Sequence, residues 1–596
     1  MDKCSQLNHL VGLDKYGRAF APQAGVRPDR QVGLFFWLWI GQPAATGAYD
    51  AGALLEQENG RDILFHQDVP ESPDGQQHFW GKPLWGYYDS ADEWVIRRQI
   101  ELLMLAGVDF IVFDTTNART YPQVYEQVLA VIQAYQQAGW NPPRAAFYTH
   151  SHSLDTVRVL YEELYRPGKF ASAWYQLDGK PLIIAYTASA PDLAEAATRG
   201  DTAYSPAELS PEILDFFTFK RPQWPFDPFY PDGFPWIEWT YPQPLHGDVM
   251  NVTVASHPNV PFSFTLTRGL ENWGRGWDPQ ARVNRPEDVD TGAFFQKQWD
   301  WAIENDPALV FVGGWNEWIA YKQLWEGEYM LCDAVDREFS RDIEPMCGGY
   351  EDAFYIQLIR NIRRYKGLEG SEKPAGPLRL EATALPPIPR DHRGVSETIR
   401  YTASAPVNPL RSVEAARVGS SLQLTLAFTQ DVRACGTAPD VLLGTGSVPH
   451  GGWQGYAFRL RCRPEESAAC LETLESDGTG TAIAKFPLET REAEIRLSLP
   501  LEALDAAGEP AIYLKAASEV ENPRDILSYY TSGSVLPPGR LSYSLPLAFS
   551  VCQRSQRGKL FLFRQDDPDG GQLIPFTRRS LVWYAVPDSR LQPAGK

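Results

Sequence analysis

Between residues 31 and 367, short apolar runs alternate with amphipathic stretches, the pattern of repeated strand–helix units. The runs predict eight strands, over 32–39, 109–114, 145–150, 182–186, 216–219, 236–239, 252–256 and 309–315. Helical periodicity falls between them at 93–105, opened by an Asp92 cap, and at 122–138, 154–165 and 292–305. Eight strands with interleaved helices predict an α/β fold, a (β/α)8 TIM barrel over residues 1–366. The stretch 367–378, GLEGSEKPAGPL, has no periodicity and reads as a linker. Beyond it, period-two alternation at 398–402, 422–428, 456–461, 482–487, 493–499 and 512–516 predicts an antiparallel β-sandwich over 379–596.

Composition narrows the partners. Hydrophobic residues make up 43% and charged residues 22%, which excludes a mainly disordered chain. Lys and Arg number 55 against 75 Asp and Glu, a formal charge of −20, and that field repels nucleic acid and anionic membranes. The longest apolar stretch, 32–40, is too short to span a bilayer. The first twenty residues carry no apolar core of a secretion signal, so the expectation is a cytoplasmic protein, or a secreted one if a leader has been removed. Seven cysteines without a CxxC pair support neither a zinc site nor a disulfide framework, although Cys462 and Cys470 could bridge two strand ends. No cofactor and no metal are expected, and oligomeric state is not legible.

In such a barrel the chemistry sits at the C-terminal ends of the strands. Three carboxyls stand out there. Glu317 lies in Trp315-Asn316-Glu317-Trp318 after Gly313 and Gly314, whose lack of a side chain permits a close turn, with two indoles beside it. Asp114 closes an apolar strand, where poor solvation tunes a carboxyl for acid or base work, though a capping Asp has the same signature. Glu238, between Trp236 and Trp239, points to either face. Any two of the three suit glycoside hydrolysis, which needs carboxyls on opposite sides of the scissile bond. Trp37, Trp39, His78, Tyr88, Asn117, His150, Trp315, Asn316 and Trp318 form the expected substrate-binding set, because sugars stack C–H faces on rings and offer hydroxyls to polar groups. His150 and His152 fall on opposite faces of an extended segment, against a shared metal.

The stretches VGLFFWLWIG, GVDFIVFDTTN and FVGGWNEW resemble the catalytic barrel of bacterial glycoside hydrolases of families 71 and 99, over roughly residues 30–366. The resemblance implies a carbohydrate substrate. Family 99 enzymes cleave α-mannosides internally with retention, through a 1,2-anhydro sugar, and carry a second Glu three residues after the first. This chain has Ala320 there. Segment 340–367 resembles the stretch that closes the barrel in relatives, with Arg341, Asp342 and Glu344 as buried braces, and the C-terminal part is similar in pattern to carbohydrate-binding modules. The expected function is a glycosidase using Glu317 and Asp114, with a non-catalytic glycan binder on a decayed barrel as the alternative. A nucleotide-sugar enzyme is disfavoured, because the DVD of Asp288 and Asp290 reads as a helix start and no phosphate loop appears.

Overall fold

The computed structural model describes residues 3–368 and 377–547, with the backbone of the strands Cys552–Gln556 and Lys559–Phe563. Most of the expected linker, and much of the expected sandwich beyond residue 547, lie outside the described residues.

The first half is a mixed α/β unit around a nearly closed parallel sheet. Its strands are β1 Gln31–Phe36, β2 Phe110–Thr115, β3 Arg144–Thr149, β4 Lys180–Ile184, β5 Thr218–Gln223, β6 Gly233–Pro235, β7 Val249–Val252 and β8 Leu309–Val312. Their spatial order is β6-β5-β4-β3-β2-β1-β8-β7, parallel at every step. The open seam lies between β6 and β7, because the outer edge of β7 is taken by the short antiparallel strand Leu245–His246. Across that seam the buried amide of Asn251 donates to the carbonyl of Trp236, 2.9 Å, and on its other side to that of Phe311 on β8, 3.1 Å. An amide inside an apolar strand is tolerated only when so paired. Asn251→Ala is expected to lower the unfolding free energy by about 1–3 kcal/mol, since it strands a buried carbonyl. Urea denaturation checks this, and an unchanged midpoint would mean that the seam is held by other contacts.

Helices α1 Glu93–Ala106 and α2 Pro122–Gln137 follow β1 and β2. Asp92 caps α1 by accepting from the Trp94 amide, and Gly107, at φ 80°, ends it. Helix α3, Ser153–Leu160, follows β3, while α4 Ala293–Asn305 and α5 Ala353–Lys366 flank β8. Among the described residues no helix follows β5 or β6, so the eightfold repeat expected from sequence is incomplete. The fifth and sixth strands are also displaced. Residues 211–216 form a helix, opened by Ser210 accepting from Ile213 with Pro211 in the first turn, and β5 begins only at Thr218. The 236–239 run lies beyond β6 rather than within a strand.

The second half is built on one long antiparallel sheet. In the described residues its path runs from Leu378–Glu381 through Leu410–Val418, Ser421–Phe428, Glu494–Pro500, Gly480–Arg491, Ala468–Leu474, Phe458–Arg463, Asp440–Thr445 and Ala511–Ser518 to Leu541–Pro546. The strand Gly480–Arg491 joins two portions of this path, since its start pairs with Ala468–Leu474 and its end with Glu494–Pro500. The expected strand at 398–402 belongs elsewhere, to a hairpin of Arg390–Arg393 with Arg400–Ala403, and Arg390 of that hairpin binds Asp92, 2.8 Å.

The sheet path does not end at Leu541–Pro546. Leu10–Leu13, placed in the barrel segment by the sequence, pairs with that strand, and Ala19–Phe20 pairs with Leu10–Leu13 in turn. A buried ionic cluster also joins the halves. Arg540 donates to Asp352 through Nε, 2.8 Å, and to Glu351 through Nη2, and the Tyr530 hydroxyl donates to Asp352, 2.8 Å. Cys462 and Cys470 are not joined in a disulfide, so the 462–470 bridge is not formed. Among the described residues no helix is long and apolar enough to cross a membrane.

Candidate active site

At the C-terminal ends of the parallel strands lies a cavity of about 240 Å³. Phe35 and Trp37 reach it from β1 and its extension, with Trp39 beyond. Asp114 reaches it from β2, Thr116 and Asn117 from the following turn, Trp224 and Trp236 from the loops after β5 and β6, and Glu317 and Asp333 from beyond β8. Arg199 completes the lining.

Glu317 is placed by its neighbours. A Cβ at Gly314 would meet the Arg341 carbonyl at 2.9 Å and Asp342 Oδ1 at 3.1 Å, so glycine lets segment 340–342 pack under the turn. Asn316 clamps the Trp37 main chain from both sides, its Oδ1 accepting from Trp37 N at 2.9 Å and its Nδ2 donating to Trp37 O at 3.1 Å. The Glu317 amide donates to Asp342 Oδ1, 2.6 Å, and its carbonyl accepts from Trp80 Nε1, 3.2 Å. With the main chain so fixed, the Glu317 side chain turns into the cavity, where Oε2 accepts from Arg341 Nη2.

Arg341 is fully buried and central to the electrostatics. The same Nη2 lies 3.5 Å from Asp333 Oδ1, and Nη1 donates to His257 Nδ1, 3.0 Å. Burial opposes its charge, but Glu317 and Asp333 hold the guanidinium above its ordinary value. Burial pushes the Glu317 carboxyl well above the usual carboxylate range; Arg341 opposes this, while Asp333 and Asp342 add to it. Asp342 is pushed up to about 6 by burial. Asp114 also rises on burial, against two hydrogen bonds to its Oδ1 from the Thr116 amide, 2.9 Å, and hydroxyl, 2.7 Å.

One cluster has the composition of a metal site. His257, Cys332 and Asp333 bring one ligand atom each within 4.8 Å of one another. The fit fails on the imidazole: Nδ1 accepts from Arg341, so a neutral ring carries its proton on Nε2 and has no lone pair left for a cation. A permanent positive charge already stands among the three.

The expected residues divide into those that line the cavity and those that do not. Glu317, Asp114, Asn117, Trp37 and Trp39 line it. Glu238 does not: its Oε1 is bound to His246 Nε2, 2.7 Å, whose Nδ1 bonds the Tyr230 carbonyl. Trp315, Trp318 and Tyr88 are completely or almost completely buried. Trp318 and Tyr88 donate to Glu344, which also accepts from Trp85 and Gln99. These rings therefore surround a buried carboxyl, itself pushed up to about 7 by burial against those four bonds, and do not present a face for sugar. Asn316 acts on the Trp37 backbone. His78 is buried against Ser72 and Gln76, its pKa lowered to about 4 by burial, and lies away from the cavity lining. His150 stands one layer behind, stacked 4.0 Å from Trp224 and paired with Glu195 at 3.4 Å. Ala320 is buried in the strand Ile319–Trp325, opposite His78, and does not line the cavity.

Asp333, Arg199 and Trp224, with Phe35, Thr116 and Trp236, line the cavity but fall outside the expected set. Asp333 follows a hairpin of Ile319–Trp325 with Glu328–Leu331, an insertion after β8 that the strand–helix pattern does not announce. The run MLCDAVD around it has no feature that separates it from a surface loop.

No family model matches the chain, and no curated protein matches it. Among solved structures, the GH99 endo-alpha-mannosidase from Bacteroides thetaiotaomicron is similar to it at 15% identity with a TM-score of 0.33, over 56% of this chain and 97% of that one. The Thermotoga maritima alpha-fucosidase in complex with a mechanism-based inhibitor is similar at 8% identity with a TM-score of 0.24, over 80% of this chain and 93% of that one. Similarity at this level says nothing about the chemistry of the cavity.

Proposed function

We propose that the protein is a glycoside hydrolase and that the cavity at the strand ends is its active site, the sheet being a (β/α)8 barrel that lacks two crossover helices. One observation carries the reading: carboxyls from separate segments, Asp114, Glu317 and Asp333, converge on a cavity walled by Trp37, Trp39, Trp224 and Trp236. Rings take the apolar faces of a sugar, and polar groups at their edges take its hydroxyls. A carboxyl raised by burial and one more open to water can hold different protonation states at one pH, which acid-assisted cleavage of an acetal requires. Glu317, whose carboxyl is raised by burial, is the proton donor to the glycosidic oxygen.

The alternative, a glycan binder without activity, drew support from Ala320. Its burial outside the cavity removes that support, because the position leaves no gap among the lining carboxyls. The test is incubation of the full chain with a panel of α- and β-linked oligosaccharides, with product analysis and binding measured in parallel. Release of new reducing ends is the expected result. Binding without any release from every glycan would establish the binder instead.

A further inference from the structure

We propose that Asp333 is the carboxyl that acts with Glu317 on the anomeric carbon, and that Asp114 holds a substrate hydroxyl. This rests on reading the cavity as a glycosidase site. The chain leaves the Glu317 turn as the strand Ile319–Trp325, reverses, and returns as Glu328–Leu331, which delivers Asp333 back beside Glu317. The two carboxyls are then tied to one atom: Arg341 Nη2 touches Glu317 Oε2 and lies 3.5 Å from Asp333 Oδ1. Two oxygens in contact with a single nitrogen are separated by no more than about 6 Å, the spacing of carboxyls that work by direct attack rather than across an intervening water.

Their surroundings differ in the sense the reaction needs. The Glu317 side chain is 6% exposed and that of Asp333 35%. The enclosed group keeps a proton more readily, and the open one is reached by water beside a permanent cation. Asp114 is less free to attack, because its Oδ1 already accepts two bonds from Thr116 and serves a turn. Its other oxygen suits a sugar hydroxyl.

In the step that follows, Glu317 gives its proton to the glycosidic oxygen as the bond from that oxygen to the anomeric carbon breaks. An Asp333 oxygen forms the new bond to that carbon, giving a glycosyl ester. Water then cleaves the ester, its hydroxyl going to the sugar and its proton to Glu317. The Asp333 carboxylate is released next to Arg341, whose charge favours its departure.

The experiment uses the glycan that the parent chain cleaves from the panel. Asp333→Asn is expected to lower kcat by about a hundredfold or more with little change in thermal unfolding. Asp333→Gly with added sodium azide is expected to regain turnover and to release a glycosyl azide, because the small anion enters the space of the lost carboxylate. That regain also demonstrates that the variant is folded. Activity of Asp333→Asn within about threefold of the parent overturns the proposal. So does azide rescue of Asp114→Gly in place of Asp333→Gly. If Glu317→Gln is inactive while Asp333→Asn is not, only the role of Asp333 falls; a parent chain that cleaves no glycan removes the whole reading.

Discussion

Glu317→Gln is expected to lower kcat on an alkyl-linked glycoside by about a thousandfold, while KM changes little. The amide keeps the shape of the carboxyl and can still accept from Arg341, so the cavity and the Arg341–Asp333 contact survive. What is lost is the proton for the departing oxygen. A glycoside with a strongly acidic phenol as leaving group needs no such proton and should lose far less, so the ratio of the two losses identifies the role. The pH profile of the parent carries the same information. A proton donor works while protonated, so on the alkaline side of the profile activity falls as pH rises through the Glu317 pKa. Burial raises that value, so the fall comes above the range of an ordinary Glu and disappears from the residual activity of the Gln variant. Near-parent activity of Glu317→Gln on alkyl glycosides would falsify its role as the acid.

The largest effect on stability is expected at the junction of the two halves. Arg540→Met removes the cation beside Asp352, whose carboxyl is fully buried and raised by burial, with Arg540 opposing. Leaving a buried carboxylate unpaired costs about 3–5 kcal/mol. The partners contribute from both sides: Asp352 stands at the start of α5, while Arg540 and Tyr530 come from the antiparallel sheet domain. Denaturant unfolding of Arg540→Met and of the double variant Arg540→Met/Asp352→Leu checks this. The double variant, which leaves no orphaned charge, should recover much of the loss; a single variant as stable as the parent would show that the cluster is dispensable.

The sequence made the strands visible by their burial, and burial is not pairing. The runs 32–39 and 309–315 overshoot β1 and β8 because residues past the last ladder bond, such as Trp37 and Trp315, remain enclosed by the loops above. At the other end of the scale, β7 was missed in part because Asn251 breaks the apolar run VMNV, although its Nδ2 is paired on both sides, to Trp236 across the seam and to Phe311 on β8. The cavity was legible where it stands on regular structure: Asp114 was found by its place at the end of a strand and Glu317 by its place just after one. The rings were harder. Indoles beside an acid carry one signature whether the acid is Glu317 facing a cavity or Glu344 enclosed by Trp85, Trp318 and Tyr88. Asp333 was not legible, because an inserted hairpin and a cation eight residues further on bring it to the site, and neither has a period.

The pairing of Leu10–Leu13 with Leu541–Pro546 links an early strand of the chain to a late one. A gene cut between Leu368 and Leu378 does not give two self-sufficient pieces: the downstream fragment exposes a bare backbone rim along Leu541–Pro546, a template for aggregation. During synthesis Leu10 waits for Tyr543, so every strand of the path between them is made before this clasp can shut.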